Sequence, residues 1–465
     1  MKRRTLLALV AGVGILASGE APAQTPSWSL PPDAAIREVL VKRIDTDEQG
    51  VGIVVGVIDG RGRRIIAYGA RNQGDARPLD GDTLFEIGSM TKVFTSLLLE
   101  QAVLRHEVKL DDPVVKYLPS GVHVPERGGK QITLIDLATH TSGLPRLPSN
   151  LAMSNPDNPY ADYTAAQLYQ FLGGYELTRD IGSRYEYSNL GAGLLGDALS
   201  RRAGLSYEAL VRRDVLGPLR MESTTVTLSP ALSARMAVGH NGGLDPVPNW
   251  DLPALAGAGA LRSDANDMLS FLAAELGYSR TPLADAMKAQ WSPRRPTTIP
   301  NTEVSLAWHV RKTATGEVIW HNGGTGGFRT FMGFDPAGRF GVVVLTNAAT
   351  VSGGDDIGFW LLTGSPLTPQ PKRRHAIHIE AAALQPFVGR YQLAPTATLT
   401  ITREGDHLFG QITGQTRFEI FAEKPNEFFW KVVDAQLTFQ TGPDGVVTGA
   451  VLHQAGANLP APRLP

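Results

Sequence analysis

The sequence contains no cysteine. Disulfides and a lipid-bearing cysteine are therefore excluded, and the folded chain must be held by its core alone. Charge of one sign is also lacking: the formal net charge is −1. No strong field draws the chain to nucleic acid or anionic lipid, and no basic block with interleaved aromatics is present. Long hydrophobic runs are missing too, the first being Thr5 to Leu16, which is too short to span a bilayer comfortably. There is no solenoid-type repeat. No serine sits in Gly-x-Ser-x-Gly, which argues against a nucleophile-elbow hydrolase. No His-Glu-x-x-His occurs. The histidine pair with zinc-ligand spacing, His375 and His378, lies in a basic linker, where solvated side chains are the plainer reading. No metal and no cofactor is implied.

What remains is ordinary globular composition: 465 residues, 42% apolar and 19% charged, enough for a large core and two or three domains. Lys2, Arg3 and Arg4 precede the apolar run, and Ala21-Pro22-Ala23 offers an A-x-A cleavage site before Gln24. Residues 1–23 read as a secretory signal peptide, with an uncleaved anchor as the alternative. The expectation is a periplasmic or secreted protein without a stable membrane anchor. Arg3-Arg4-Thr5-Leu6-Leu7 suggests the twin-arginine route.

Ile36, Leu40 and Ile44 recur at helical spacing. Val51–Ile58, the turn Asp59-Gly60-Arg61-Gly62 and Arg64–Tyr68 read as a helix-led antiparallel hairpin rather than a βαβ unit. A second helical pattern starts near Ser89 and runs through Val93, Phe94, Leu97 and Leu98. Residues 110–300 are mostly helical and loop-rich. Val304–Arg311, Glu317–Trp320, Thr330–Phe334 and Phe340–Leu345 are predicted strands, with a turn at Asp335-Pro336-Ala337-Gly338 between the last two. Strands early and late with helices between predict an α+β domain over residues 24–365: one sheet built from both ends, with an inserted helical subdomain. Residues 366–383, rich in proline and basic side chains, read as a linker. Residues 384–465 read as a small antiparallel β-domain. Its six candidate strands are 399–402, 408–412, 418–421, 428–432, 437–439 and 446–452.

Three short patterns carry chemistry. Ser89 and Lys92 stand three apart, in the one Ser-x-x-Lys of the chain. A helix beginning at Ser89 puts both on one face. A serine hydroxyl needs a base within hydrogen-bond reach, and a buried lysine of lowered pKa can serve. The helix N-terminus adds free N–H groups. The bland alternative makes Ser89 an N-cap and Lys92 a solvated side chain. Tyr187-Ser188-Asn189 is the second pattern. Tyr187 can shuttle a proton; Asn189 can bind a substrate amide carbonyl and orient Lys92. Its bland alternative is a buried aromatic beside a loop asparagine. His321-Asn322-Gly323-Gly324 is the third, following the strand Val318-Ile319-Trp320. Glycine there lets a ligand backbone approach. The Gly324 N–H can face the Ser89 N–H across an oxyanion, and His321 can bind or orient a substrate group. His240-Asn241-Gly242-Gly243 repeats the letters in a loop, where a structural role is the default.

In this order, the three patterns resemble the serine β-lactamase and D-alanyl-D-alanine-peptidase family, nearest the class C β-lactamases. Leu110–Val114, Ile132–Leu134, His140-Thr141-Ser142-Gly143-Leu144 and Ala256-Gly257-Ala258-Gly259 through Met268 match that family's habits. The resemblance covers about residues 35–365. It implies Ser89 as nucleophile, Lys92 as its base partner and Tyr187 as proton-relay phenol. Asn189 would be a substrate-amide ligand, His321 and Gly323 would mark the substrate-binding strand, and Ser89 and Gly324 the oxyanion hole. The C-terminal segment resembles the small β-barrel appended to some of these hydrolases. Two positions depart from the family: His321 replaces the lysine of class C enzymes and most penicillin-binding proteins, as in some D-amino-acid peptidases. Thr91 replaces their usual serine or alanine.

The expected function is an exported serine hydrolase working through an acyl-enzyme on β-lactams or D-alanine-type peptides, with small molecules or peptidoglycan peptides as partners. A broad carboxylesterase on the same scaffold, or a penicillin-binding sensor that acylates and stalls, are the alternatives. An imidazolium at His321 would bind a substrate carboxylate and titrate near pH 6.5, roughly. The oligomeric state and the role of the β-domain stay open.

Overall fold

The computed structural model describes residues 28–465 except 153, 315, 352, 372, 396, 416 and 455; the expected signal peptide lies outside the described residues. Helix α1 (Asp33–Val41) buries Ile36 and Leu40. It leads into the hairpin β1 (Gly52–Asp59) and β2 (Gly62–Gly69), paired antiparallel. The later strands are β3 (Arg295–Pro296), β4 (Thr302–Val304), β5 (His309–Thr313), β6 (Gly316–Gly324), β7 (Arg329–Asp335) and β8 (Phe340–Thr346). They form one eight-stranded sheet in the order β2-β1-β8-β7-β6-β5-β4-β3. The N-terminal hairpin thus docks on the last strand, β8, in antiparallel register.

β1 is apolar almost throughout because both of its faces are covered. Ile53, Val55 and Val57 pack with Ile36, Leu40, Ile357 and Leu361, under α1 and α6 (Asp355–Thr363). Val54 and Ile58 face the opposite cluster with Leu269 and Leu272 of α5 (Ala265–Glu275). That second cluster continues into the inserted helices. They include α2 (Thr91–Leu104), α3 (Asn189–Ala203) and the single turn α4 (Ala256–Gly259).

The predicted strand Val304–Arg311 is instead a hairpin. Val304 pairs with His309, and Ala307 turns the chain at φ +62°. The apolar run misled because the turn itself is buried: Leu306 and Trp308 are fully enclosed. Ala307 N–H donates to Ala138 O at 2.9 Å, so the hairpin tip is anchored in the helical layer.

The C-terminal segment forms a second eight-stranded sheet with strands in sequence order. They are β9 (Gly389–Ala394), β10 (Ala397–Glu404), β11 (His407–Ile412), β12 (Phe418–Lys424), β13 (Glu427–Phe429), β14 (Ala435–Thr441), β15 (Val447–Gln454) and β16 (Ala457–Pro462). Tyr391 bridges to Arg463 and Leu464 N–H donates to Arg390 O at 2.8 Å, nearly closing a barrel. Leu399, Ile401, Leu437, Phe439 and Leu452 point inward. Two strands escape the sequence pattern. β9 offers one fully buried apolar side chain, Tyr391, and β16 carries two prolines, tolerated because it pairs through backbone groups with β15 alone. The predicted strand 428–432 stops at Phe429. Trp430 stays in the barrel core, and the loop after it turns toward the first unit, where Lys431 Nζ lies 3.7 Å from Asp245.

No helix among the described residues is long and apolar enough to cross a membrane.

Candidate active site

Ser89 sits in a 3-10 turn, Gly88–Met90, that runs straight into α2. Gly88 takes φ +51°, and a Cβ there would come within 2.7 Å of Gly324 N. A Cβ on Gly323 would meet Ile87 O at 2.0 Å. Thr330 Oγ1 also donates to Ile87 O at 3.0 Å. The two glycines thus let β6 lie flush on the Ser89 turn, bringing the backbone of Gly324 beside that of Ser89. The first residues of a helix leave N–H groups without intrahelical acceptors, so the Ser89 N–H is available to a ligand.

Lys92, one turn along, is buried. Its Nζ lies 3.0 Å from Ser89 Oγ, 2.9 Å from Asn189 Oδ1 and 2.6 Å from Ala258 O. Burial, and then the nearby Arg146 charge, hold the amine well below the ordinary lysine range. A neutral amine has two N–H donors and one lone pair. Asn189 Oδ1 and Ala258 O can only accept, so they take the two donors and the lone pair is left for the Ser89 O–H.

The Tyr187-Ser188-Asn189 triplet is the N-terminus of α3. Ser188 is its N-cap, accepting the Gly191 N–H at 2.9 Å, and it donates to Pro145 O at 2.6 Å. Capping fixes the two flanking side chains. Asn189 faces Lys92, and the half-buried Tyr187 lies close enough to the Ser89 side chain to feel it electrostatically. Lys92 Nζ is 4.9 Å from the Tyr187 ring centroid. Burial pushes the Tyr187 phenol up, with the Ser89 side chain acting the other way, so at neutral pH it carries its proton.

Behind Tyr187 lie three histidines. His140 packs against it, tilted by 33°, at 4.5 Å between centroids, and His321 is 6.4 Å away. His309 lies 5.3 Å from His321 and its Nε2 is 3.1 Å from the Tyr185 hydroxyl. His321 corrects the expectation of an imidazolium open to substrate: it has no exposed surface. Burial first, then the His309 and Lys92 charges, hold its pKa well below 6.5. Its Nδ1 lies 2.6 Å from Asn322 O, and its Nε2 is buried without a partner. β6 runs on past Trp320 through Gly324, so His321 is inside the strand rather than at its end. His240 is occupied structurally, Nδ1 3.0 Å from Asn347 O and Nε2 3.1 Å from Asn72 Oδ1. Among the described residues no cluster could hold a metal ion.

Ser89, Lys92, Tyr187, Asn189, Gly323 and Gly324 therefore meet in one place, with His321 behind them. Sequence reasoning gave no role to Ala258 or Arg146, which the fold also brings there. The Ala258 carbonyl has no side-chain signature. Arg146 lies just beyond the His140–Leu144 stretch, the nearest available clue.

Among known proteins, residues 38–364 match the family described as Beta-lactamase. Residues 373–460 match a domain of unknown function, DUF3471. The D-alanyl-D-alanine-carboxypeptidase/endopeptidase AmpH of Escherichia coli K12 is 32% identical over 314 residues, 65% of this chain and 80% of AmpH. Penicillin-binding protein 4* of Bacillus subtilis 168 is 25% identical over 429 residues, 85% of this chain and 91% of that protein. The crystal structure of a β-lactamase/D-alanine carboxypeptidase from Yersinia pestis superposes with a TM-score of 0.59 at 29% identity, covering 68% of this chain and 94% of that one. With its fold, its site and these relatives in agreement, the chain belongs to the Beta-lactamase family and is a serine hydrolase.

Proposed function

We propose that the mature protein is exported and hydrolyses D-amino-acid peptides and β-lactams through an acyl-enzyme on Ser89. The observation that carries this is the placement of the buried Lys92 amine, 3.0 Å from the Ser89 hydroxyl with Asn189 Oδ1 and Ala258 O as its other two partners. Lys92 takes the Ser89 proton as the oxygen attacks the carbonyl. The N–H groups of Ser89 and Gly324 hold the oxyanion, each donor being worth about 3–4 kcal/mol in such sites. Tyr187, a phenol at rest, protonates the leaving amine and is resupplied from Lys92. Water then attacks the ester, and Ser89 recovers its proton. The Asn189 carbonyl oxygen is committed to Lys92, which leaves its NH2 for a substrate amide carbonyl.

A peptide-like substrate fits the strand edge. Pairing of β6 with β5 ends at Trp320–His309, so Asn322 to Gly324 present a free edge on that side among the described residues. Such an edge accepts an extended peptide. His321 serves as a neutral positioning residue behind Tyr187. The same neutrality favours a second reading, a carboxylesterase, since no buried cation awaits a substrate carboxylate there. We further assign residues 1–23 as a removed leader, 24–365 as the hydrolase unit, 366–383 as linker and 384–465 as the β-domain.

D-alanine release from a peptide ending in D-Ala-D-Ala, β-lactam ring opening and p-nitrophenyl ester hydrolysis are to be measured in parallel. The proposal expects the first two from wild type and none of the three from Ser89→Ala. Ester turnover alone establishes the esterase reading instead. The mature N-terminus should be Gln24; a full-length chain retained in the cytoplasm contradicts export.

A further inference from the structure

Arg146 stands apart from the other arginines near the site. Arg127, Arg179 and Arg184 pair with Asp180 or Glu186. Arg146 is exposed, and among the described residues its guanidinium has no carboxylate partner. Its central carbon lies 5.1 Å from the centroid of the Tyr187 ring. The loop bearing it is fixed: Arg146 O accepts the N–H groups of Asn189 and Leu190 at 3.0 and 3.2 Å. The cation is thus held at the mouth of the site, alongside the asparagine to which we gave the substrate amide.

We propose that Arg146 determines specificity by binding a carboxylate on the acyl portion of the substrate. The proposal rests on the reading of Ser89 and Asn189 above. Asn189 holds the amide of the acyl half, so a group meeting the neighbouring guanidinium belongs to that half and not to the leaving group. The preferred substrates are then D-amino-acid peptides whose acyl donor carries a free side-chain carboxylate. The guanidinium is already seated over the face of Tyr187, so binding a carboxylate on its outer side does not require a new cation to be buried. Other basic groups at the site are otherwise placed: Lys92, His140, His309 and His321 are all buried, and burial holds each toward its neutral form, while the Arg329 guanidinium beside Gly324 donates to Thr325 O and Phe328 O.

The test compares p-nitrophenyl pentanoate with the mono-p-nitrophenyl ester of glutaric acid, which has the same leaving group and adds an acyl-end carboxylate. The kcat/KM ratio of the two is measured for wild type, Arg146→Gln and Arg146→Lys. Wild type is expected to prefer the glutarate ester, Arg146→Gln to lose about tenfold of that preference, and Arg146→Lys to keep part of it. In wild type, 0.5 M NaCl should shrink the preference through screening, a readout that needs no variant. An equal ratio in wild type and Arg146→Gln, or no wild-type preference, overturns the proposal. A second pair, phenyl acetate and 3-carboxyphenyl acetate, carries the charge on the leaving group; an Arg146→Gln effect confined to it overturns the acyl-side assignment. Turnover of both p-nitrophenyl esters by Ser89→Ala would instead sink the underlying reading of the site.

Discussion

Gly323→Ala tests how the proposed oxyanion site is built. The added Cβ would stand 2.0 Å from Ile87 O and 2.4 Å from Thr330 Oγ1. Carbon and oxygen do not approach within 3.0 Å, so β6 must retreat from the Ser89 turn by about 1 Å. Ile87 O is backbone and accepts the Thr330 hydroxyl, so it has little freedom to give way. The retreat carries Gly324 N–H away from the oxyanion. A misplacement of about 1 Å costs roughly 10²-fold, and loss of one oxyanion donor about 10²–10³-fold. We expect kcat for an ester to fall about 10²–10³-fold while KM changes little, since the donor acts in the transition state. Stopped-flow acylation and steady-state kinetics measure this, with a thermal melt to establish that the variant is folded. Gly173→Ala is the control: nothing lies within 4 Å of its Cβ position, and activity should be unchanged. A folded Gly323→Ala within threefold of wild type would refute the reasoning.

Three further outcomes follow from buried charge. Because burial keeps His321 neutral, binding of an acidic ligand to Ser89→Ala should be flat from about pH 6 to 8 in calorimetry; a Kd that rises across that range contradicts the neutral ring. Glu275 is buried with neither carboxylate oxygen bonded, and burial raises its pKa well above 4.5. The native state then holds a proton that the unfolded state releases above 4.5, so this residue's contribution falls as pH rises through that window. Glu275→Gln should therefore out-melt wild type by about 2–4 °C at pH 7, with the gap closing toward pH 4; a constant gap contradicts it. Arg43 and Asp356 form a buried pair at 2.6 Å that ties the turn after α1 to α6. Arg43→Met should cost about 3–5 kcal/mol in chemical denaturation, and adding Asp356→Leu should restore most of it; no recovery means the pair is not the source.

Local pattern was legible where one physical cause dominates. The β1–β2 hairpin followed from β-branched runs around Asp59–Gly62, and six barrel strands from alternation. Reading failed where burial came from elsewhere in the fold. The tip of the 304–311 hairpin is apolar because helices cover it. Val432 continues an apolar run yet is 64% exposed, because it lies in the loop between β13 and β14. β16 pairs through backbone groups that proline does not remove. At the site, Ser-x-x-Lys spacing foretold one face of a helix, and the structure places Asn189 and Tyr187 beside it. The charge state of His321 was not legible, since it depends on His309 and on total enclosure. The Ala258 carbonyl, which fixes one Lys92 donor, is a backbone group that any residue could supply.

The most direct measurement is peptide mass mapping of a reaction quenched in acid within milliseconds of mixing with a β-lactam or an activated ester. The account predicts an acyl adduct on the peptide containing Ser89, transient in wild type and absent from Ser89→Ala. An adduct on any other peptide, or turnover with no covalent species and full activity in Ser89→Ala, would contradict it.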